Sequence, residues 1–190
     1  MKAAPSEGAG APLAGRLVIR PLHASDSMEQ LTDLIHAAYA PHAANGLRFW
    51  GTHQSAEDTT TRFQSGHGLV ALVDGVLIGT VVARPPKPDS AALLYRDAET
   101  WSFGQLAVAP EFKGRGVGKA LHDAAVDVAR RHGAQVMALD TAAPANGLIA
   151  MYESWGYRIV GSADWRPDTN YLSVLMACRI EELGLATPHT

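Results

Sequence analysis

The segment Val108-Ala-Pro-Glu-Phe-Lys113-Gly114-Arg115-Gly116-Val117-Gly118-Lys119-Ala-Leu121 constrains the fold more than any other. An apolar run ends at Pro110, glycines follow at alternate positions, and apolar residues then recur at helical spacing. This predicts a strand, a tight turn and an amphipathic helix. Such a turn aims several backbone N–H groups at one spot on the positive end of a helix dipole, which suits a phosphate.

Two familiar phosphate loops fit poorly. A Walker-type loop needs a hydroxyl after its Gly-Lys pair, and here Gly118-Lys119 is followed by Ala120. A dinucleotide fingerprint needs G-x-G-x-x-G, whereas Gly114, Gly116 and Gly118 give G-x-G-x-G. On the turn alone, a plain tight strand-to-helix connection also remains open.

The rest of the chain supplies alternating elements. Leu17-Val-Ile19 reads as a first strand stopped by Pro21. Ser25 or Asp26 could cap a helix through Met28, Leu31, Leu34, Ile35 and Ala38. Residues 41–54 read as a loop carrying Pro41, His42, Phe49, Trp50 and His53; Ser55 with Asp58 predicts a capped helix to about Phe63. Asp74-Gly75 between two apolar runs predicts a hairpin. A strand over about 99–108 leads into the glycine turn. A helix to about His132, a buried strand Val136-Met-Ala-Leu139, a helix over 146–155 closed by Gly156, and strands over 157–161 and 171–178 complete the chain. The order β-α-α-β-β-β-α-β-α-β-β predicts an α/β (α+β) fold, a mixed sheet with helices on both faces.

The 190 residues suggest one domain, read as 16–180, with a disordered Ala/Gly/Pro-rich leader over 1–15 and a tail over 181–190. A net charge of −3 gives no global argument for nucleic acid or a membrane surface. No apolar run approaches the roughly 18 residues of a membrane span. Cys178 is the only cysteine, so no internal disulfide can form, and no metal site is expected. A reducing cytoplasm is the default expectation.

Lys113-x-x-Gly116-x-Gly118, between a strand ending Leu106-Ala-Val108-Ala-Pro110 and a long helix, resembles the acyl-CoA signature of the GNAT superfamily of N-acetyltransferases. The usual form begins with Gln or Arg, and Lys113 departs from it. Asn146-Gly-Leu-Ile-Ala-Met-Tyr152-Glu-Ser-Trp-Gly156-Tyr157 resembles the second signature of that family, with its Asn-to-Tyr spacing one residue shorter. The resemblance covers about residues 16–179. It implies a mostly antiparallel mixed sheet of about seven strands. It further implies acetyl-CoA as co-substrate in a gap between the fourth and fifth strands, around residues 103–108 and 135–140.

By this resemblance, backbone groups of Leu106, Ala107 and Val108 pair with the pantetheine arm. Lys113, Gly114, Arg115, Gly116, Val117, Gly118 and Lys119 form the pyrophosphate cradle, Asn146 lies at the cofactor, and Tyr152 is the general acid. The general base is not legible. No carboxylate stands within residues 101–108, which leaves Glu99, the polar Ser102 and Gln105, His53 and a water chain as options. Trp50, His53, Trp165 and Tyr171, with Arg48, Phe49 and Tyr95, are candidate acceptor-site residues. Their aromatic weighting suits a small molecule with an apolar or cationic part, and equally a dimer contact. The implied activity is acetyl transfer to a primary amine of a small or amino-acid-like acceptor. A non-catalytic acyl-CoA-binding module and a peptide acetyltransferase are the alternatives. Homodimers are common in the family, which leaves a homodimer among the expectations.

Overall fold

The structure is a computed structural model and describes residues 13–183. Most of the expected leader and tail lies outside the described residues. At the C-terminal edge, Ile180–Glu182 form a single 3-10 turn and Leu183 is buried, so core packing runs past residue 180.

Seven strands form one sheet: β1 (Leu17–Pro21), β2 (His67–Val73), β3 (Val76–Arg84), β4 (Thr100–Val108), β5 (Val136–Ala142), β6 (Arg158–Asp164) and β7 (Leu172–Arg179). Their order is β1-β2-β3-β4-β5-β7-β6. Only β4 and β5 run parallel. The β2–β3 hairpin turns on Asp74 and Gly75, both at positive φ, the conformation that a two-residue turn of the primed type requires.

The helices are α1 (Met28–Ala44), α2 (Ala56–Gln64), α3 (Val117–Arg131) and α4 (Asn146–Ser154). Leu31, Leu34, Ile35 and Ala38 of α1 and Phe63 of α2 cover one face of the sheet through Val70, Val82 and Ala107. Val117, Leu121, Ala125, Val126 and Ala129 of α3 cover the other. Gly79 on β3 admits that helix, since a Cβ there would stand 2.8 Å from Leu121 Cδ1.

Two local readings need correction. Ser27, not Ser25 or Asp26, caps α1 by accepting from the Gln30 N–H. The Asp26 carboxylate is already engaged by the Arg20 guanidinium at 2.7 and 2.8 Å and by the His23 N–H. Residues 41–44 are helical rather than loop: Pro41 falls in the last turn of α1, and its carbonyl accepts from Asn45 backbone and side chain. The Ser55–Asp58 capping box of α2 forms as expected.

The topology opens the sheet at its centre. β4 pairs with β5 only through Thr100–Val136, Trp101–Met137 and Ser102–Ala138. Beyond Ser102, β4 follows β3, while β5 follows β7. A gap therefore opens past Ser102. Its β5 wall begins at Leu139 rather than at Gln135, because residues 136–138 are zipped to β4.

Candidate active site

The glycine turn stands at the open end of this gap. Gly114 and Gly116 have φ of 71° and 81°, the left-handed region that a residue with a Cβ enters only at a cost. A Cβ at Gly116 would meet nothing within 4 Å, so conformation rather than crowding demands glycine. No side chain caps α3. The first helical N–H to bond back is that of Ala120, to the Gly116 carbonyl at 3.0 Å. The N–H groups of Val117, Gly118 and Lys119 thus face outward with the positive helix end behind them, a geometry that fits a pyrophosphate.

The neighbouring cations are partly engaged. Lys113 donates to the Ala38 carbonyl at 2.8 Å, which ties the turn to α1. Lys119 pairs with Asp123 at 2.6 Å, and Asp123 in turn meets His122 Nδ1 at 2.9 Å. His122 is fully buried and its Nε2 lies 2.8 Å from the Tyr157 hydroxyl. The Arg115 guanidinium lies over the Phe112 ring.

Within the gap, β4 is irregular. Thr80 pairs with Ala107 but Val82 with Gly104, so Gln105 and Leu106 together oppose Val81. Gln105 takes a φ of 54° and accepts from Gln54 Nε2 at 2.8 Å; both side chains are buried. Such a bulge bends the strand and re-aims its edge groups. The Tyr39 hydroxyl donates to the Leu106 carbonyl. The β5-facing edge of Leu106, Ala107 and Val108 has no strand partner.

Tyr152 on α4 packs edge-on against Phe103 of β4, with ring centroids 5.9 Å apart, and against Trp155 and Tyr157. Burial pushes its phenol well above the usual tyrosine range, and Tyr39 and Asp140 add to the shift. The phenol is therefore protonated at neutral pH. Asn146 opens α4 and is exposed.

Beside the gap lies a cavity of about 700 Å³ lined by residues of α2, the end of β3, the 85–95 loop, β4, β5 and the β6–β7 loop. Trp50 and Trp165 line it, as does Tyr95. His53 instead stacks on Trp50 from an exposed position, and Tyr171 packs on Phe49 in a separate cluster with Ala142 and Ala145. Asn170 bonds to Gly46 and Arg48, joining the loop after α1 to the β6–β7 loop. Glu99 does not reach this region. It is exposed at the zipped end of β4 and accepts from Gln135 Nε2 at 2.6 Å.

The charged groups of the cavity escaped the sequence reading. Asp140 accepts from the Tyr95 hydroxyl at 2.8 Å and from Trp165 Nε1 at 3.1 Å. Arg62 and Arg84 also line it, and burial lowers both guanidinium pKa values, that of Arg84 to about 10. Arg84 ends the apolar run of β3 and Asp140 interrupts that of β5, but neither position by itself shows that the two meet.

Residues 29–157 match the family model described as the acetyltransferase (GNAT) family. N-acetylaspartate synthetase of Rattus norvegicus is 32% identical over 95 residues, covering 50% of this chain and 29% of that one. Mycothiol acetyltransferase of Propionibacterium freudenreichii is 28% identical over 143 residues, covering 72% of this chain and 42% of that one. The matched stretches thus span less than half the length of these curated relatives. A GNAT family acetyltransferase from Elizabethkingia anophelis, solved with acetyl-CoA bound, superposes with a TM-score of 0.63 at 19% identity, covering 86% of this chain and 97% of that one.

Proposed function

The chain belongs to the acetyltransferase (GNAT) family, and from that premise we propose that it transfers the acetyl group of acetyl-CoA directly to a primary amine of a small molecule. One observation carries the reading: the β4–β5 opening has an uncapped helix start at one end and a charged, aromatic-lined cavity beside it, with Tyr152 packed against β4. Two relatives named for small-molecule acetylation, an N-acetylaspartate synthetase and a mycothiol acetyltransferase, support a small acceptor.

In this reading the pyrophosphate of the donor lies on the N–H groups of residues 117–119, and Gly116 keeps that approach open. The free edge of Leu106, Ala107 and Val108 receives the pantetheine arm as an added strand. The Asp140 carboxylate holds the incoming ammonium and takes its first proton, passing it to solvent; Glu99 has no part. The neutral nitrogen attacks the thioester carbonyl, a C–N bond forms and the C–S bond breaks. The nitrogen then loses a second proton to solvent, Tyr152 gives one to the sulfur, and solvent restores the phenol, so free thiol and amide leave with one net proton released.

The test is thiol release from acetyl-CoA with a panel of amino acids, polyamines, aminoglycosides and peptides. Amine-dependent release is the expected result. Calorimetric binding of acetyl-CoA with no turnover across the panel would favour a non-catalytic acyl-CoA-binding module.

A further inference from the structure

The cavity beside the gap holds two guanidinium groups without a carboxylate of their own. Neither Arg62 nor Arg84 forms an ion pair among the described residues, although Arg20, Arg130, Arg131, Arg166 and Arg179 all do. Arg62 Nε is a buried donor with no hydrogen-bond partner, and its guanidinium lies over the Trp50 ring. Arg84 donates through Nε to Ser65 Oγ, and its outer nitrogens rest against Gly104, where a Cβ would intrude to 2.6 Å. Half-burying two like charges side by side is unfavourable unless an anion joins them. Arg62 is, after burial, the group that most depresses Arg84, and Asp140 offsets it only in part.

These cations are not placed for the donor's phosphates. Arg84 pairs in register with Ser102, and the glycine turn follows Val108, six strand residues further on and thus roughly 20 Å away. The remaining charges of the cavity are Lys87 and Asp168, both exposed and of opposite sign, and Asp140. With Lys87 and Asp168 offsetting each other, two guanidinium groups and one carboxylate face the acceptor.

We infer that the acceptor is an amine of net negative charge, an acidic amino acid or close analogue, with its carboxylates on Arg62 and Arg84 and its ammonium on Asp140. This rests on the acetyl-transfer reading above and deepens it. Guanidinium groups favour carboxylates because they offer paired N–H donors in the geometry of the two oxygens. A neutral isostere would leave one guanidinium unanswered, and a site built for a polar group rejects the analogue that lacks it.

The test uses isosteric pairs, L-aspartate with L-asparagine and L-glutamate with L-glutamine, plus L-lysine. Binding to CoA-saturated protein is measured by calorimetry and turnover by thiol release, in the wild type and in Arg84→Gln, Arg62→Gln and Arg84→Lys. An acidic member is expected to bind at least ~10-fold more tightly than its amide. Each Gln variant should raise its KM at least ~10-fold with kcat less affected, acetyl-CoA affinity and circular dichroism staying native, and Arg84→Lys should recover part of the loss. Tighter binding or faster turnover of amides or lysine, unaltered by Arg84→Gln, would overturn the inference while leaving acetyl transfer intact. Arginine-dependent binding of an acidic amino acid without turnover would keep the anion site and count against the transfer reading. Absence of measurable binding by either acidic amino acid would overturn the inference outright.

Discussion

A Cβ at position 104 would stand 2.6 Å from Arg84 Nη1 and 3.0 Å from its Cζ, so the guanidinium of Arg84 fills the space left by the missing side chain of Gly104. The obstructing atoms are the far end of a flexible side chain, which can move at little cost to folding. Gly104→Ala is therefore expected to fold normally and to displace the guanidinium. The KM for the acceptor should rise roughly 10-fold, the scale of a lost charge-assisted contact, while the KM for acetyl-CoA holds. Steady-state kinetics with each substrate varied in turn checks this; an equal rise in both constants would show a distorted β4 instead.

Gly116 tests the other end of the gap. Its φ of 81° makes Gly116→Ala destabilising by about 1–2 kcal/mol, with space to spare around the new methyl group. Gly116→Glu adds a negative charge at the outward-facing N–H groups, and a like charge against phosphate costs several kcal/mol. Acetyl-CoA affinity should fall by more than ~100-fold in the Glu variant, with native circular dichroism. Calorimetry on both variants separates strain from charge: an affinity for acetyl-CoA equal to wild type in Gly116→Glu would sink the assigned phosphate cradle.

The elements were legible because their signals are local. Asp74-Gly75, the Ser55–Asp58 box and the 3–4 spacing of Leu31, Leu34, Ile35 and Ala38 each act within a few residues. The glycine turn was legible for the same reason. Arg62, Arg84 and Asp140 were not, because they meet only after α2, β3 and β5 have assembled, and nothing in their spacing announces it. Gln105 was visible merely as a polar residue in an apolar strand; its positive φ follows from the mismatch with β3 and from Gln54, 51 positions away. Glu99 failed as a base candidate because proximity in sequence to β4 says nothing about which end of the strand opens.

His122 gives the protein a pH-dependent stability. Burial holds its imidazole below the ordinary value of 6.5, with Lys119 acting in the same direction and Asp123 opposing. Between about pH 6.5 and the lower folded value, the unfolded chain binds a proton that the folded chain refuses, so stability falls as pH falls. His42, also lowered by burial, adds to the same slope. Urea midpoints at pH 7.5, 6.5 and 5.5 should decline in the wild type. His122→Gln should start lower at pH 7.5, because its bond to Tyr157 is altered, and then decline less steeply. A slope identical to wild type would remove His122 as the source.

Tyr152 is set to donate a proton and poorly set to lose one. The residue is 8% exposed, its ring packed among Phe103, Trp155 and Tyr157, and burial raises its phenol well above the unperturbed value of about 10. Tyr152→Phe keeps that aromatic packing and removes only the hydroxyl, so the fold and acetyl-CoA affinity should hold. If the phenol protonates the leaving thiolate, kcat should fall ~10²–10⁴-fold, the usual worth of a positioned acid, with little change in either KM. The wild-type kcat should also show no alkaline fall from this group up to about pH 10, since its folded pKa lies above the unperturbed value. Single-turnover kinetics make the test independent of product release: an acetyl-transfer rate in Tyr152→Phe within about twofold of wild type would dismiss the phenol as the acid and leave protonation of the thiolate to solvent.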